Sequence, residues 1–391
     1  MNILVISPFL PYPLDQGGKI RVFNLVKHLS RNHSITLACL SDTQTSDFGP
    51  LSDLCEEIVT FTRDGSFALD FLRFLVGKAA FNCIRFSSST FAARLSQLVS
   101  AKKIDLVQIE FSLLWQYADL FPDTPVALDA HNIEYKNVQQ IGSSASSPFR
   151  RFLYLVETRR LQAVEGLAWR NCALCFTVSD KEREEIAVCI GNGARVITAA
   201  NGVDLERFPF APRSKGGKKI LFLGGMDYAP NLDAATYFLR EVFPLIRREE
   251  PEARVLLVGR DIAKLGELTA SPGVEIHESV PEVLPWFYEA DLLAVSLRQG
   301  AGTRIKVLEA MAAGLPVVAT SKGCEGIGAT NGHELMVADT PEEFAAAVTG
   351  ILRAPGKGGQ LALNARRLVV EGYTWESAAN IMESAYLKLL R

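Results

Sequence analysis

The chain has 391 residues, 48% of them hydrophobic and 22% charged, with a formal net charge of −3 at pH 7. That length is too great for one ordinary core and predicts two globular domains, and the near-neutral balance excludes an overall basic field of the kind that holds nucleic acid. Seven cysteines, an odd number set in apolar runs such as Ala38-Cys39-Leu40, predict reduced thiols used as small core side chains and exclude a disulfide framework.

The first element is a strand. MNILVISPFLPYP has no cationic leader and meets proline early, which predicts a buried strand and not a signal peptide. No apolar run approaches the ~20 residues needed to span a bilayer. The expected location is therefore the cytoplasm. After the strand comes a loop, residues 11–21, with Gly17-Gly18 at its end and a helix through Val22, Leu25 and Leu29 beyond it. Paired glycines let a backbone approach a ligand, and a helix N-terminus offers unpaired N–H groups to an anion. A merely tight turn is the plainer alternative, and the loop is not the GxGxxG of a dinucleotide site.

Further apolar runs at residues 34–39, 105–109, 126–128, 173–178 and 195–198 continue a series of buried parallel strands with helices between them. Cys172 and Cys175 make a CxxC, but NCALCFTVS reads as a buried strand and not a redox turn. Two stretches in this half mix aromatic and basic residues. Phe71, Phe74, Phe81 and Phe86 alternate with Arg73, Lys78 and Arg85, and residues 149–169 carry Arg150, Arg151, Arg159 and Arg160 among Leu153, Leu155 and Leu161. Such stretches suit the surface of an anionic membrane, although a core face backed by a solvated face gives the same pattern.

Residues 209–218 are rich in Pro, Gly and Lys and predict a linker between an N-terminal domain at 1–208 and a C-terminal domain at 219–374. A second strand series runs through 219–224, 254–259, 274–276, 292–296 and 316–319. Strand and helix alternate throughout, so the fold class is α/β: two Rossmann-like, doubly wound domains with a cleft between them. Ligands in such sheets sit beyond the carboxyl ends of strands. There the sequence GAGTRIKVLEAMAAGLPVVAT, residues 300–320, sets Gly300, Gly302 and Thr303 before a helix whose N–H groups can meet an anion. Arg304 and Lys306 stand on its first turn, where cations oppose the helix dipole unless an anion is present. Glu309 sits among small and apolar residues and needs a partner. A ribose diol would serve, because two hydroxyls can donate to one carboxylate; a salt bridge to Lys306 is the alternative.

These segments, with LDAHN at 128–132, TVSD at 177–180 and NGVDLERF at 201–208, resemble the retaining glycosyltransferases of family 4, over nearly the whole chain. The resemblance implies the GT-B fold, a nucleotide-diphosphate sugar donor (UDP- or GDP-linked), a hydroxyl acceptor, and no cofactor. It also implies that the helix at 375–391 crosses back onto the first domain. In the family the later glutamate of an E-x7-E signature binds the ribose, a role that falls on Glu309. The earlier glutamate, which touches the transferred sugar, is replaced by Ala301. The family's arginine and lysine that hold the diphosphate are absent from Gly224 to Asn231. Arg304 and Lys306 are expected to replace them, since a guanidinium grips phosphate as a fork and an ammonium adds a mobile charge.

The resemblance assigns His131 to the transferred sugar; by position Gly17, Gly18, Gly224 and Asn231 are candidates for the donor, and Arg21, Asn132 and Glu134 for the acceptor side, with Glu110 a weaker candidate. His28, His33, His277 and His333 read as structural or surface residues. No His, Cys and carboxylate cluster shows metal-ligand spacing, so no metal is expected. The implied partners are the donor, a glycan or lipid-linked acceptor in envelope or exopolysaccharide assembly, and an anionic membrane surface, with no nucleic acid. A sugar-nucleotide epimerase and a non-catalytic nucleotide-sugar binder are the competing readings.

Overall fold

The computed structural model describes residues 1–41, 47–62, 65–143, 145, 147–191, 195–211, 216–300 and 302–391. Two compact units divide the chain: Met1–Ala200 together with Trp375–Arg391, and Asn201–Thr374.

The first unit is built on seven parallel strands: β1 (Asn2–Ser7), β2 (Ser34–Ser41), β3 (Glu57–Thr62), β4 (Leu106–Glu110), β5 (Val126–Ala130), β6 (Leu174–Thr177) and β7 (Val196–Thr198). They lie in the order β3-β2-β1-β4-β5-β6-β7. Leu4 of β1 pairs with Thr36 on one side and Val107 on the other. A central strand covered by helices on both faces must be apolar at every position, which is why ILVI reads as an unbroken run and not as an alternation. The helix Gly17–Leu29 buries Val22, Leu25, Val26 and Leu29 at helical spacing. The helix Trp375–Leu389 packs in the same core through Ala378, Ala379, Met382, Ala385 and Tyr386, whose ring meets Phe176 edge-on at 5.5 Å.

The second unit holds β8 (Lys219–Leu223), β9 (Arg254–Gly259), β10 (Val274–Glu278), β11 (Leu292–Val295), β12 (Val317–Ala319) and β13 (Met336–Val337), all parallel, in the order β10-β9-β8-β11-β12-β13. The helix Ile305–Ala313 stops at Gly314, whose φ of 79° is left-handed, and a Cβ there would come within 2.7 Å of the Phe210 ring.

Three features differ from the sequence expectation. Strands β3 and β13 were not expected: β3 is an edge strand whose residues are all only half-buried, and β13 has two residues. The 201–208 segment belongs to the second unit, because Val203 and Phe208 pack in its core and Val203 bridges to Thr374. Among the described residues no helix is long and apolar enough to cross a membrane.

Candidate functional site

In the first unit the strand order reverses between β1 and β4, the place where doubly wound sheets bind ligands. The turn after β4 contains Phe111, at a φ of 68°. Such a backbone is costly for a bulky residue and persists only where the surroundings hold it. Here the Phe111 ring stacks on the His131 imidazole at 3.8 Å and meets Phe9, in the loop after β1, edge-on at 5.6 Å. Gly18 completes this packing, since a Cβ on it would stand 3.0 Å from Phe9 and 3.1 Å from Phe111. Gly17 is exposed at the start of its helix.

His131 is buried, and its Nε2 lies 2.6 Å from Glu110 Oε2 and 3.7 Å from Asp129 Oδ2. Burial and the Asp129 charge push the Glu110 carboxyl above its ordinary range, while His131 and Arg21 oppose the shift. Glu110, Asp129 and His131 thus form a trio close enough to share a cation, which the sequence could not reveal because they come from two strand ends. Arg21 already supplies that charge. Its Nε donates to Asp129 Oδ2 and its Nη2 to Oδ1, both at 2.8 Å, and its Nη1 donates to the Ala199 carbonyl at 2.9 Å. A metal ion would have to displace this fork, so the trio is better suited to hydrogen bonding than to metal ligation. The same geometry corrects the expectation that Arg21 faces an acceptor. It is 1% exposed and committed to Asp129.

The turn after His131 is held from behind. Glu165, on the long helix Pro148–Asn171, accepts from the N–H groups of Glu134 (3.0 Å) and Tyr135 (2.8 Å) and from Ser112 Oγ (3.0 Å). A carboxylate at a helix N-terminus satisfies orphan donors and suits the dipole, so it fixes the first turn of Glu134–Ser143. Asn132 Nδ2 donates to Glu134 Oε1 at 3.2 Å; burial raises the Glu134 carboxyl and this bond opposes it.

In the second unit the order reverses between β8 and β11. The loops beyond these strands carry Gly224 to Tyr228 and Gly300 to Arg304. Gly300 and Gly302 have φ of 107° and 77°, and a Cβ on Gly300 would stand 3.2 Å from Arg304 Nη2 and 3.3 Å from Tyr228 Oη. Ala301 lies outside the described residues. Thr303 is buried, and its carbonyl accepts from Asn201 Nδ2 at 3.4 Å.

The Lys306 ammonium turns toward the end of β8. It donates to the Leu223 carbonyl at 2.8 Å and lies 3.5 Å from Asn231 Oδ1, instead of bridging to Glu309. Asn231 in turn donates to the Gly225 carbonyl at 3.0 Å and packs where a Gly224 Cβ would stand. Burial brings Lys306 down to about 7; the neighbouring Arg304 lowers it too, and Glu309 opposes. Burial likewise raises Glu309 to about 7, against the pull of Arg207 and Lys306 and with a push from Glu282. Two basic side chains at a helix N-terminus, the ammonium of one disfavoured by burial and by the other, suit a bound anion.

Sequence reasoning missed several residues here. Arg207, from NGVDLERF, pairs with Glu282 at 3.2 Å and acts on Glu309. Arg260, at the end of β9, brings a cation to the Gly224–Tyr228 loop, 3.5 Å from Asp227 Oδ2. Phe111, Glu165 and Tyr228 carry no motif, and only a site preformed in space reveals them.

Residues 16–207 match the family described as Glycosyltransferase Family 4, and residues 217–354 match Glycosyl transferases group 1. The chain belongs to glycosyltransferase family 4. It is a glycosyltransferase that uses a nucleotide-sugar donor. One family relative, described as an uncharacterized 44.6 kDa protein in the cps region of Klebsiella pneumoniae, is 22% identical over 95% of this chain and 96% of its own length. Glycogen synthase of Mycobacterium tuberculosis (strain ATCC 25618 / H37Rv) is 28% identical over 60% of this chain and 58% of that protein. Two solved structures share the GT-B fold. Sucrose-phosphate synthase from Thermosynechococcus elongatus superposes with a TM-score of 0.73 at 15% identity, covering 100% of this chain and 99% of that one. HepE from Anabaena, in complex with UDP and glucose, gives 0.69 at 14% identity, covering 99% and 100%.

Proposed function

We propose that the protein is a retaining glycosyltransferase that moves a sugar from a UDP- or GDP-linked donor to a hydroxyl of a glycan or lipid-linked acceptor. The observation that carries this reading is the convergence of Arg304, Lys306 and the N–H groups after Gly302 on one switch point, with Glu309 three residues further along the helix. The diphosphate is assigned to Arg304 and Lys306. The ribose is assigned to Glu309, and the transferred sugar to His131. UDP is the favoured nucleotide because HepE is known in complex with UDP-glucose. The relative in a cps region supports a polysaccharide pathway.

In the proposed step the acceptor oxygen bonds to the anomeric carbon while the bond from that carbon to the β-phosphate oxygen breaks. The acceptor proton passes to the departing diphosphate on the same face. No carboxylate nucleophile is required, so Ala301 does not abolish the chemistry. The protein's part is to stabilise charge growing on the diphosphate, and preorganised cations in a water-poor site do this well. Burial lowers Lys306 to about 7 in the empty site, and an arriving anion favours its charged form.

The acceptor reading draws on two clamped helices of the first unit. Arg160 donates to the carbonyls of Phe74 (2.6 Å), Gly77 (2.8 Å) and Ala79 (3.1 Å), which ties Phe67–Val76 to the long helix Pro148–Asn171. Both helices display apolar side chains to solvent, Phe67, Leu72 and Val76 on one and Phe149 and Phe152 on the other, beside exposed Arg73, Lys78, Arg150 and Arg151. Apolar side chains ringed by cations fit an anionic lipid surface, and hence an acceptor held there.

Calorimetry of the purified protein with UDP, GDP and their sugar conjugates, alongside Arg304→Ala and Lys306→Ala, tests the donor assignment. One diphosphate is expected to bind, and each substitution to weaken it at least tenfold, about 1.4 kcal/mol. Absence of binding to every nucleotide would favour a site that no longer turns over, and conversion of the sugar itself without transfer would favour the epimerase.

A further inference from the structure

Tyr386 stands on the C-terminal helix Trp375–Leu389, 278 residues from Gln108, yet its hydroxyl donates to Gln108 Oε1 at 2.7 Å. Gln108 Nε2 then donates to Glu110 Oε1, and Glu110 Oε2 meets His131 Nε2 at 2.6 Å. All four side chains are buried; Tyr386 and Glu110 have no exposed surface at all. With Glu110 ionised the polarity of this chain is set: a carboxylate only accepts, so the Gln108 amide turns its NH2 toward Glu110 and its carbonyl toward Tyr386. Glu110 decides which end of the amide faces it, and the Tyr386 hydroxyl anchors the carbonyl end so that the side chain stays in line with Glu110. Gln108 and Glu110 lie within the segment that matches the family, whereas Tyr386 lies beyond both matched segments.

We propose that Tyr386 is a positioning residue for His131, acting through Gln108 and Glu110. The inference rests on the reading of His131 as the residue that contacts the transferred sugar. Its physical content is that the C-terminal helix delivers a single hydroxyl that fixes one amide, which aims one carboxylate, which sets the imidazole against Phe111. The other groups facing Glu110 are Asp129 from β5 and Arg21 from the helix Gly17–Leu29, and both are already paired with each other. Only the Gln108 side of Glu110 is left for Tyr386 to govern.

The test is nuclear magnetic resonance of the full chain labelled with ¹⁵N-histidine. The chain has 5 histidines, and His131→Asn identifies the His131 signal. A bond of 2.6 Å to a carboxylate predicts a strongly downfield Nε2 proton. Tyr386→Phe keeps the ring on Phe176 and removes only the hydroxyl. It is expected to move that proton upfield or lose it to exchange, and Gln108→Leu is expected to do the same. Met382→Leu, on the same helix and in the same core, controls for packing and is expected to leave the signal in place. In parallel, hydrolysis of UDP-glucose and GDP-mannose is followed for each variant. Tyr386→Phe is expected to lower kcat about tenfold with little change in KM for the donor. The acidic limb of its pH profile should also move upward, because a Gln108 amide no longer anchored by Tyr386 donates less well to the charged form of Glu110.

A Tyr386→Phe signal identical to wild type overturns the inference, and so does an equal displacement by Met382→Leu. If Tyr386→Phe displaces the signal but His131→Asn hydrolyses the donor at the wild-type rate, the linkage stands and the role of His131 falls, taking the functional claim with it.

Discussion

Lys306 and Glu309 are one helical turn apart, and burial brings both to about 7 from opposite directions. Donor binding would change each. A diphosphate favours the Lys306 ammonium, so binding takes up a proton when Lys306 starts neutral; affinity must therefore fall as pH rises above about 7. The ribose hydroxyls favour the Glu309 carboxylate, so binding releases a proton when Glu309 starts protonated; affinity must fall as pH drops below about 7. UDP affinity measured by calorimetry is expected to peak near neutral pH and to decline by up to roughly tenfold per pH unit on the alkaline side. Lys306→Ala should flatten the alkaline limb and Glu309→Gln the acidic one. A wild-type affinity that stays constant between pH 6 and 9 would remove both residues from the donor site. The helix that carries both was legible in the sequence, but the partners of Lys306, which are Leu223 and Asn231, were not, because they come from the end of β8 and the segment after it. Arg21 was misread for the same reason. Its helix was correct, but its partner Asp129 stands on a strand 108 residues away.

At the scale of elements, the long helix Pro148–Asn171 does two jobs with buried carboxylates. Glu157 accepts from the N–H groups of Phe81 (2.6 Å) and Asn82 (3.0 Å), and Glu165 caps the helix that follows His131. The spacing of these glutamates shows in the sequence, but their targets do not, since capping donors are backbone groups with no residue signature. The exposed faces of this helix and of Phe67–Val76 set a second expectation. Wild-type protein should sediment with vesicles containing phosphatidylglycerol, and less so at high salt, because the cationic share of the attraction is screened. Leu72→Asp and Phe152→Asp alter exposed positions, so they should weaken sedimentation while leaving the melting temperature nearly unchanged. Wild-type protein that stays in the supernatant with these vesicles would end the membrane reading.

For the whole molecule, the C-terminal helix matters beyond its length. Its buried residues Trp375, Ala378, Ala379, Met382, Ala385 and Tyr386 are part of the first unit, although the sequence reaches them only after completing the second. Removing a large buried side chain costs about 2–5 kcal/mol, and a domain holds only about 5–15 kcal/mol in all. A chain ending at Thr374 is therefore expected to lose the cooperative melting of the first unit in calorimetry. UDP binding should survive, because every residue assigned to the diphosphate and ribose lies within Asn201–Thr374. Persistence of both melting transitions would show that the helix is dispensable to the first core.

The sequence by itself determined the α/β class, most of the strands, the loop and helix around Glu309, and the family, because each is written in local periodicity or in a contiguous motif. It also placed His131 at a strand end. The tertiary structure alone decided the company that His131 keeps. Gln108 and Glu110 on β4, Asp129 on β5, Arg21 and Tyr386 come from four separate elements, and parallel strands joined by crossovers bring together residues whose separation in the chain carries no trace of the contact. Edge strands such as β13 belong to the same class, since their pairing is supplied by a neighbour and not by their own two residues.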